Sequence, residues 1–358
     1  MVELKDLCKK ASSNIAQKDL DGHTGEYPIY GASGLIGYVD FYKQEKPYIA
    51  VVKDGAGIGR IMSLPAKSSV IGTMQYILPN DDVDVQYLSF AMENMNLAKY
   101  FSGATIPHIY FKDYCTEKLP THSEKEQKQI SAVLSKVTEL ISLRKKQLVK
   151  LDELIKAQFV EMFGDPVKNT MDWEIKPLSE LGELNRGVSK ARPRNSPELL
   201  GGPYPLIQTG EVANAKTYIT SFNSTYSEKG LAQSKMWPKG TLCITIAANI
   251  AQTSILTFDA CFPDSVVGFI SRNMTNELFI HYWFSFFQKI LDEQAPQVAQ
   301  KNINLKILSE LNVIVPPLSL QNRFAAFVEH GDQQKQTVQQ SLEKLELMKK
   351  ALMQEYFG

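Results

Sequence analysis

The chain has 358 residues, 44% of them hydrophobic, and its 39 Lys and Arg balance 39 Asp and Glu for a formal net charge of zero. That length predicts two or three domains with real cores, and the charge balance excludes a protein that coats nucleic acid by bulk charge alone, though not one with local basic loops. The four cysteines, Cys8, Cys115, Cys243 and Cys261, form no CxxC pair and no metal spacing, the opening MVELKDLCKK lacks a signal-peptide core, and no apolar run reaches bilayer length; we expect a soluble cytoplasmic protein with reduced thiols, no metal and no membrane contact.

Residues 3–20 form a short opening element. GEYPIYGASGLIGYVDFY follows, with Gly31, Gly34 and Gly37 among aromatic and β-branched residues, a pattern of turns and short strands. The glycine spacing is not a dinucleotide fingerprint, because no buried strand precedes it and no helix follows. PYIAVVKDGAGIGRIMSL predicts strand, glycine turn and strand, SSVIGTMQYILP another strand, and residues 84–101 a helix through Val85, Leu88, Ala91, Met92, Met95 and Leu97. GATIPHIYFKDY and KLPTHSEKEQ then lead into a long helix ending at Gly164. Its stripe of Ile130, Val133, Leu134, Val137, Leu140, Ile141, Leu148, Leu151, Leu154, Ile155 and Phe159 recurs every three or four residues without a proline. About 38 helical residues make a rod of roughly 55 Å, longer than one compact core needs, so it reads as a spacer or coiled-coil strand.

After the GDPVKNT link the pattern restarts. WEIKPLSELGELNRG, the basic loop SKARPRNSPELLGGP, YPLIQTGEV, the strand runs KGTLCITIAANIAQTSIL and DSVVGFIS, the helical ELFIHYWFSFFQKIL and the segment APQVAQKNINLKIL lead through VPPLSLQ to a second long helix, Leu318 to Gly358. Displaced by 194 positions, Gln127 meets Gln321, Ala132 meets Ala326, Leu148 meets Leu342, Leu151 meets Leu345, and Glu161, Phe163 and Gly164 meet Glu355, Phe357 and Gly358. Upstream, Ile109 and Lys112 meet Ile303 and Lys306 in the same register. This is a duplication. The expected organisation is α+β: globular parts at 1–120 and 165–315, each followed by a long helix, at 121–164 and 316–358. A pseudo-twofold arrangement would set the equivalent helices antiparallel.

YPIYGASGLIGYVDFY, DGAGIGR, KNINLK, VPPLSLQ and a long helix ending in Phe-Gly, in this order and duplicated, resemble the specificity subunit of type I restriction-modification enzymes across essentially the whole chain. The resemblance implies two α/β target recognition domains separated by two long antiparallel helices forming an intramolecular coiled coil. Each domain would read one part of a split sequence in double-stranded DNA. It also implies a non-catalytic chain with no cofactor of its own. Such a chain recruits methyltransferase (M) subunits that use S-adenosylmethionine and restriction (R) motor-nuclease subunits that use ATP. The halves differ where GASGLIG stands against QTGEVAN and DGAGIGR against AANIAQT, so the target should be asymmetric and bipartite.

Base edges are read by side chains that hydrogen-bond from loops, Arg or Lys to guanine and Asn or Gln to adenine. The candidates are Ser33, Lys53, Arg60, Thr73, Gln75 and His108 in the first half, and Arg186, Lys190, Arg192, Arg194, Gln208, Asn249, Gln252, Lys301 and Asn302 in the second. A single surface cation is usually only a solvated charge; three within five loop residues, Lys190, Arg192 and Arg194, have no core role. No Asn/Asp-Pro-Pro-aromatic motif for a flipped base, phosphate loop or GxSxG elbow is present. A coiled-coil scaffold without sequence-specific DNA binding is the alternative, but it leaves the matched loop segments unexplained.

Overall fold

The computed structural model describes residues 1–55, 57–101, 107–247, 251–286 and 303–358. It comprises two units, Met1–Gln147 with Val338–Gly358, and Leu148–Thr337. Each holds a globular part and a stretch of both long helices, Glu124–Phe163 and Leu318–Phe357.

In the first unit Tyr48–Val52 (YIAVV) is buried at every position, because a strand sends alternate side chains to opposite faces and both faces here are covered. Ile49 and Val51 meet Leu88, Ala91 and Met92 of the helix Val85–Asn94, while Tyr48, Ala50 and Val52 join Leu64, Met74 and Tyr76. The sheet runs Cys8–Ser12, Met74–Pro79, Tyr48–Val52, Ile61–Leu64, antiparallel throughout. A smaller sheet is built on the GASG turn, where Gly31 pairs with Gly34 across Ala32 and Ser33.

The second unit repeats the main sheet as Gly182–Arg186, Val266–Ser271, Leu242–Thr245 and Thr253–Leu256, in the same order and sense, with Tyr218–Ile219 added in parallel at the edge. The two long helices, 40 residues each, start 194 positions apart, as do Tyr48–Val52 and Leu242–Thr245, whereas Leu4–Leu7 and Leu178–Leu181 stand only 174 apart. The whole discrepancy arises in one segment: 35 residues separate Ser12 from Tyr48, and 55 separate Arg186 from Leu242. Each globular part is rooted in a single short antiparallel ribbon, Val2–Glu3 with Lys118–Leu119 in the first and Glu174–Pro177 with Asn312–Val315 in the second.

Within each unit the helix stretches run antiparallel. In the first, Ile130 and Leu134 share a core with Met353 and Phe357, while Arg144 Nε donates to Ser341 Oγ (3.2 Å) and Lys145 pairs with Glu346 (2.8 Å). Residues 143–147 thus contribute polar bonds to the pairing of the helices. In the second, Asp152 pairs with Lys335 (2.8 Å) and Phe159 meets Phe324 edge-on. Gly331 belongs to this seam: a Cβ there would stand 3.0 Å from Ile155, so close approach justifies a glycine inside a helix, where it costs up to about 1 kcal/mol. The seam is narrower than the apolar stripe, since Val133 and Leu154 are 41% and 51% exposed.

The matched glutamines are joints rather than readers. Gln127 is buried, accepts from the backbone N–H of Asp84 (2.9 Å) and donates to the His122 carbonyl (3.0 Å). Gln321, fully buried, accepts from the Thr275 hydroxyl and the Asn276 N–H and donates to the carbonyls of Met274 and Pro316. Asp84 and Asn276 in turn cap the helices Val85–Asn94 and Glu277–Phe284. Each long helix is thus fastened at its first turns to the cap of its unit's sheet-covering helix. Gln321→Ala should lower stability by about 2–3 kcal/mol in urea titration, because it strands buried polar groups; a loss below about 0.5 kcal/mol would mean that water replaces the amide.

Candidate nucleic-acid interface

In the first unit the hairpin between Tyr48–Val52 and Ile61–Leu64 closes through Gly59 N–H to the Val52 carbonyl (2.8 Å). Gly59 is obligatory there: its φ is +80°, and a Cβ would lie 2.7 Å from the Ala98 nitrogen. The other side of the loop is laced to a passing segment, with Gly55 N–H donating to the Pro107 carbonyl and Ile109 N–H to the Lys53 carbonyl, and the Thr73 carbonyl accepts from the N–H groups of Lys53 and Asp54. Lys53, Thr73 and His108 are thereby brought together. Asp54 lies at their centre, pairing with Lys53 Nζ (2.5 Å) and with His108 Nδ1. Burial pushes the Asp54 carboxyl up, and Lys53 and His108 outweigh it, holding the group below the ordinary carboxylate value. Arg60 extends the cluster by donating from Nη1 to the Ala32 carbonyl (2.8 Å), beside Ser33 in the GASG turn.

Gln75 is a correction. It is 7% exposed, on a strand buried on both faces, and takes the Tyr114 hydroxyl at 3.5 Å, so it faces the core and not a base. Sequence reading also missed Tyr110, which is 51% exposed, lies nearly parallel to the His108 ring with centroids 6.2 Å apart, and is covered by Lys112. An exposed aromatic ring with a lysine beside it has the chemistry to stack on a base and contact a phosphate; the IPHIY run was its only signal.

In the second unit Arg186, Lys190, Arg192 and Arg194 are all exposed. The loop carrying them is anchored by Gln233, whose Oε1 accepts from the N–H groups of Lys190 (2.7 Å) and Ala191 (3.0 Å), and by Arg192 Nη1 donating to the carbonyls of Ser189 and Ala191. Gln252 is exposed on the hairpin equivalent to that of Arg60, where its backbone bonds Thr245. Gln208 caps the short helix Thr209–Asn214, its N–H donating to the Glu211 carboxylate (3.2 Å), and it is not joined to the arginine loop by any bond among the described residues. Asn249, Lys301 and Asn302 lie outside the described residues.

A cavity of about 530 Å³ in this unit is lined by Asp152, Lys156, Lys216, Gln252, His281 and Lys335 among others. Burial, helped by the Lys335 charge, pushes His281 down to about 4, and its Nδ1 is 2.9 Å from the Thr253 hydroxyl. Burial pulls the Lys335 ammonium down too, but Asp152 and Asp332, each at 2.8 Å, hold it above the ordinary lysine value. A neutral imidazole on a threonine and a lysine clamped by two carboxylates make a structural polar network; no activated nucleophile stands among them. All four cysteines are free, and among the described residues no group of His, Cys, Asp or Glu could hold a metal ion and no helix is long and apolar enough to cross a membrane.

The family model described as type I restriction modification DNA specificity domain matches residues 1–153 and again 170–347. A curated relative, the putative type I restriction enzyme MjaX specificity subunit of Methanocaldococcus jannaschii, is 22% identical over 98% of this chain and 91% of its own length. Among solved structures, the S subunit of a type I restriction-modification system from M. genitalium superposes with a TM-score of 0.66 at 16% identity, covering 99% of this chain and 95% of that one. A chain from a study of complex assembly and conformational transition in the type I R-M system gives 0.56 at 15%, covering 99% and 96%.

Proposed function

We infer the function from a premise the comparisons supply: the chain belongs to the type I restriction modification DNA specificity family, with one domain in each half. It is the DNA sequence-specificity subunit of a type I restriction-modification complex. In our reading each globular part addresses one half of a bipartite target. The first does so through Ser33, Lys53, Arg60, Thr73 and His108 with Tyr110, the second through Arg186, Lys190, Arg192, Arg194 and Gln252. The observation that carries this is that Arg60 and Gln252 sit on equivalent hairpins of equivalent sheets yet have different chemistry, so equivalent scaffolds present unlike readers. Arginine and lysine favour guanine, glutamine favours adenine. The half-sites therefore differ.

Catalysis falls to partners in this reading: methyltransferase subunits bring S-adenosylmethionine and motor-nuclease subunits bring ATP. In this reading the complex acts on genomic DNA in the cytoplasm. We expect the purified chain alone to transfer no methyl group and cut no DNA, and methylation to begin on addition of the partner methyltransferase. Mapping methylated adenines in the source genome should then return one split motif with non-identical halves. Methyl transfer by the chain alone would refute the division of labour, and a continuous motif would refute the bipartite reading.

A further inference from the structure

Three arginines of the second unit converge on one acid that the loop sequence does not contain. Arg194 Nη2 is 2.5 Å from Asp264 Oδ1, Arg192 Nη2 is 3.8 Å from Asp264 Oδ2, and Arg186 Nε donates to the Asp264 backbone carbonyl at 2.9 Å. The approach is built into the backbone. Gly187 and Val188 donate to the carbonyls of Val266 and Phe262, and a Cβ on Gly187 would fall 2.3 Å from the Phe262 oxygen, so only glycine lets the arginine loop lie flush against the turn that carries Asp264. Gln233 and the carbonyls of Ser189 and Ala191 hold the loop and one arm of Arg192. Among the described residues, the Arg194 guanidinium is directed by Asp264 alone.

We propose that Asp264 is a positioning residue for DNA recognition. It aims the guanidinium group of Arg194 and partly neutralises both Arg194 and Arg192, so that the loop discriminates between duplexes instead of gripping any phosphate. The chemistry suits this: a guanidinium has five N–H donors in a rigid fork, and the carboxylate engages only part of the fork, leaving the rest for base edges or phosphates in a fixed direction. Without the carboxylate, Arg194 swings to the nearest phosphate and Arg192, still held by the Ser189 and Ala191 carbonyls, meets phosphate with its full charge, which adds affinity without sequence information. The first unit also sets an acid among basic side chains, Asp54 between Lys53 and His108.

The inference rests on the DNA-reading role above, and its test separates the two. The full chain, assembled with its methyltransferase subunits, is titrated with a duplex carrying the mapped target and one lacking it, over a range of salt. Asp264→Asn keeps the shape and the backbone carbonyl that Arg186 uses. It should tighten non-target binding, steepen the log–log salt dependence by about 0.9 for each arginine released, and lower the target-to-non-target ratio roughly tenfold, the scale of one lost base contact. Asp264→Glu should recover most of the ratio. Equal weakening on both duplexes with an unchanged slope would make Asp264 a mere fold support and overturn the proposal, as would no change at all. If the unmodified assembly itself shows no target preference, the DNA-reading role fails, and the inference with it.

Discussion

Phe159→Ala should destabilise the second unit by roughly 3–5 kcal/mol, the range for truncating a fully buried aromatic. Phe159 is 0% exposed, and its ring lies within 5.5 Å of Phe163, Phe279, Phe286 and Phe324. Those rings come from both long helices and from the helix Glu277–Phe284 with its following turn, so a cavity there loosens the joint as well as the core. The readout is selective. All three tryptophans, Trp173, Trp237 and Trp283, belong to the second unit, and their fluorescence follows its unfolding in urea. A midpoint shift worth less than about 1 kcal/mol would show that the aromatic cluster relaxes to fill the hole.

The second expectation is a change of specificity. Replacing residues 4–117 by the same part of a relative with a different target should alter one half of the recognised sequence and leave the other intact. The junctions fall beside each other on the ribbon of Val2–Glu3 and Lys118–Leu119, so the graft crosses the frame at one place. Each base pair of the replaced half should then cost about 1–3 kcal/mol on the original target, roughly additively. Methylation mapping of cells carrying the chimera reads the result, and a change in both halves at once would show that the two parts do not read independently.

The duplicated framework was legible because it is written in local terms. A stripe every three or four residues announces a helix whatever it packs on, and identical residues at one fixed offset announce a repeat. The proposed recognition loops were legible only as composition. Lys190, Arg192 and Arg194 stand out as clustered charge, but Asp264, 70 positions beyond Arg194, looks like any surface acid until the chain folds. Gln75 misled for the converse reason: the strand Met74–Pro79 is buried on both faces over its first four residues, so alternation could not show that its one amide faced inward. Gln127 and Gln321 matched across the repeat, yet only the bonds to Asp84 and Asn276 reveal why.

The unequal spacing of the two halves has a consequence for how such a chain can change. Between the first two strands that both sheets share, one half spends 35 residues and the other 55, while the order of the four shared strands and the helix length stay the same. Closing the longer excursion costs only about 0.4 kcal/mol more in chain entropy, since that cost grows with the logarithm of length. Insertions and deletions at the exposed turns of that excursion leave the main sheet in register, whereas one residue added to a long helix turns every later side chain by about 100°. Length is therefore a free variable at those turns and a fixed one in the helices, and new loops can be tried there without the frame registering the trial.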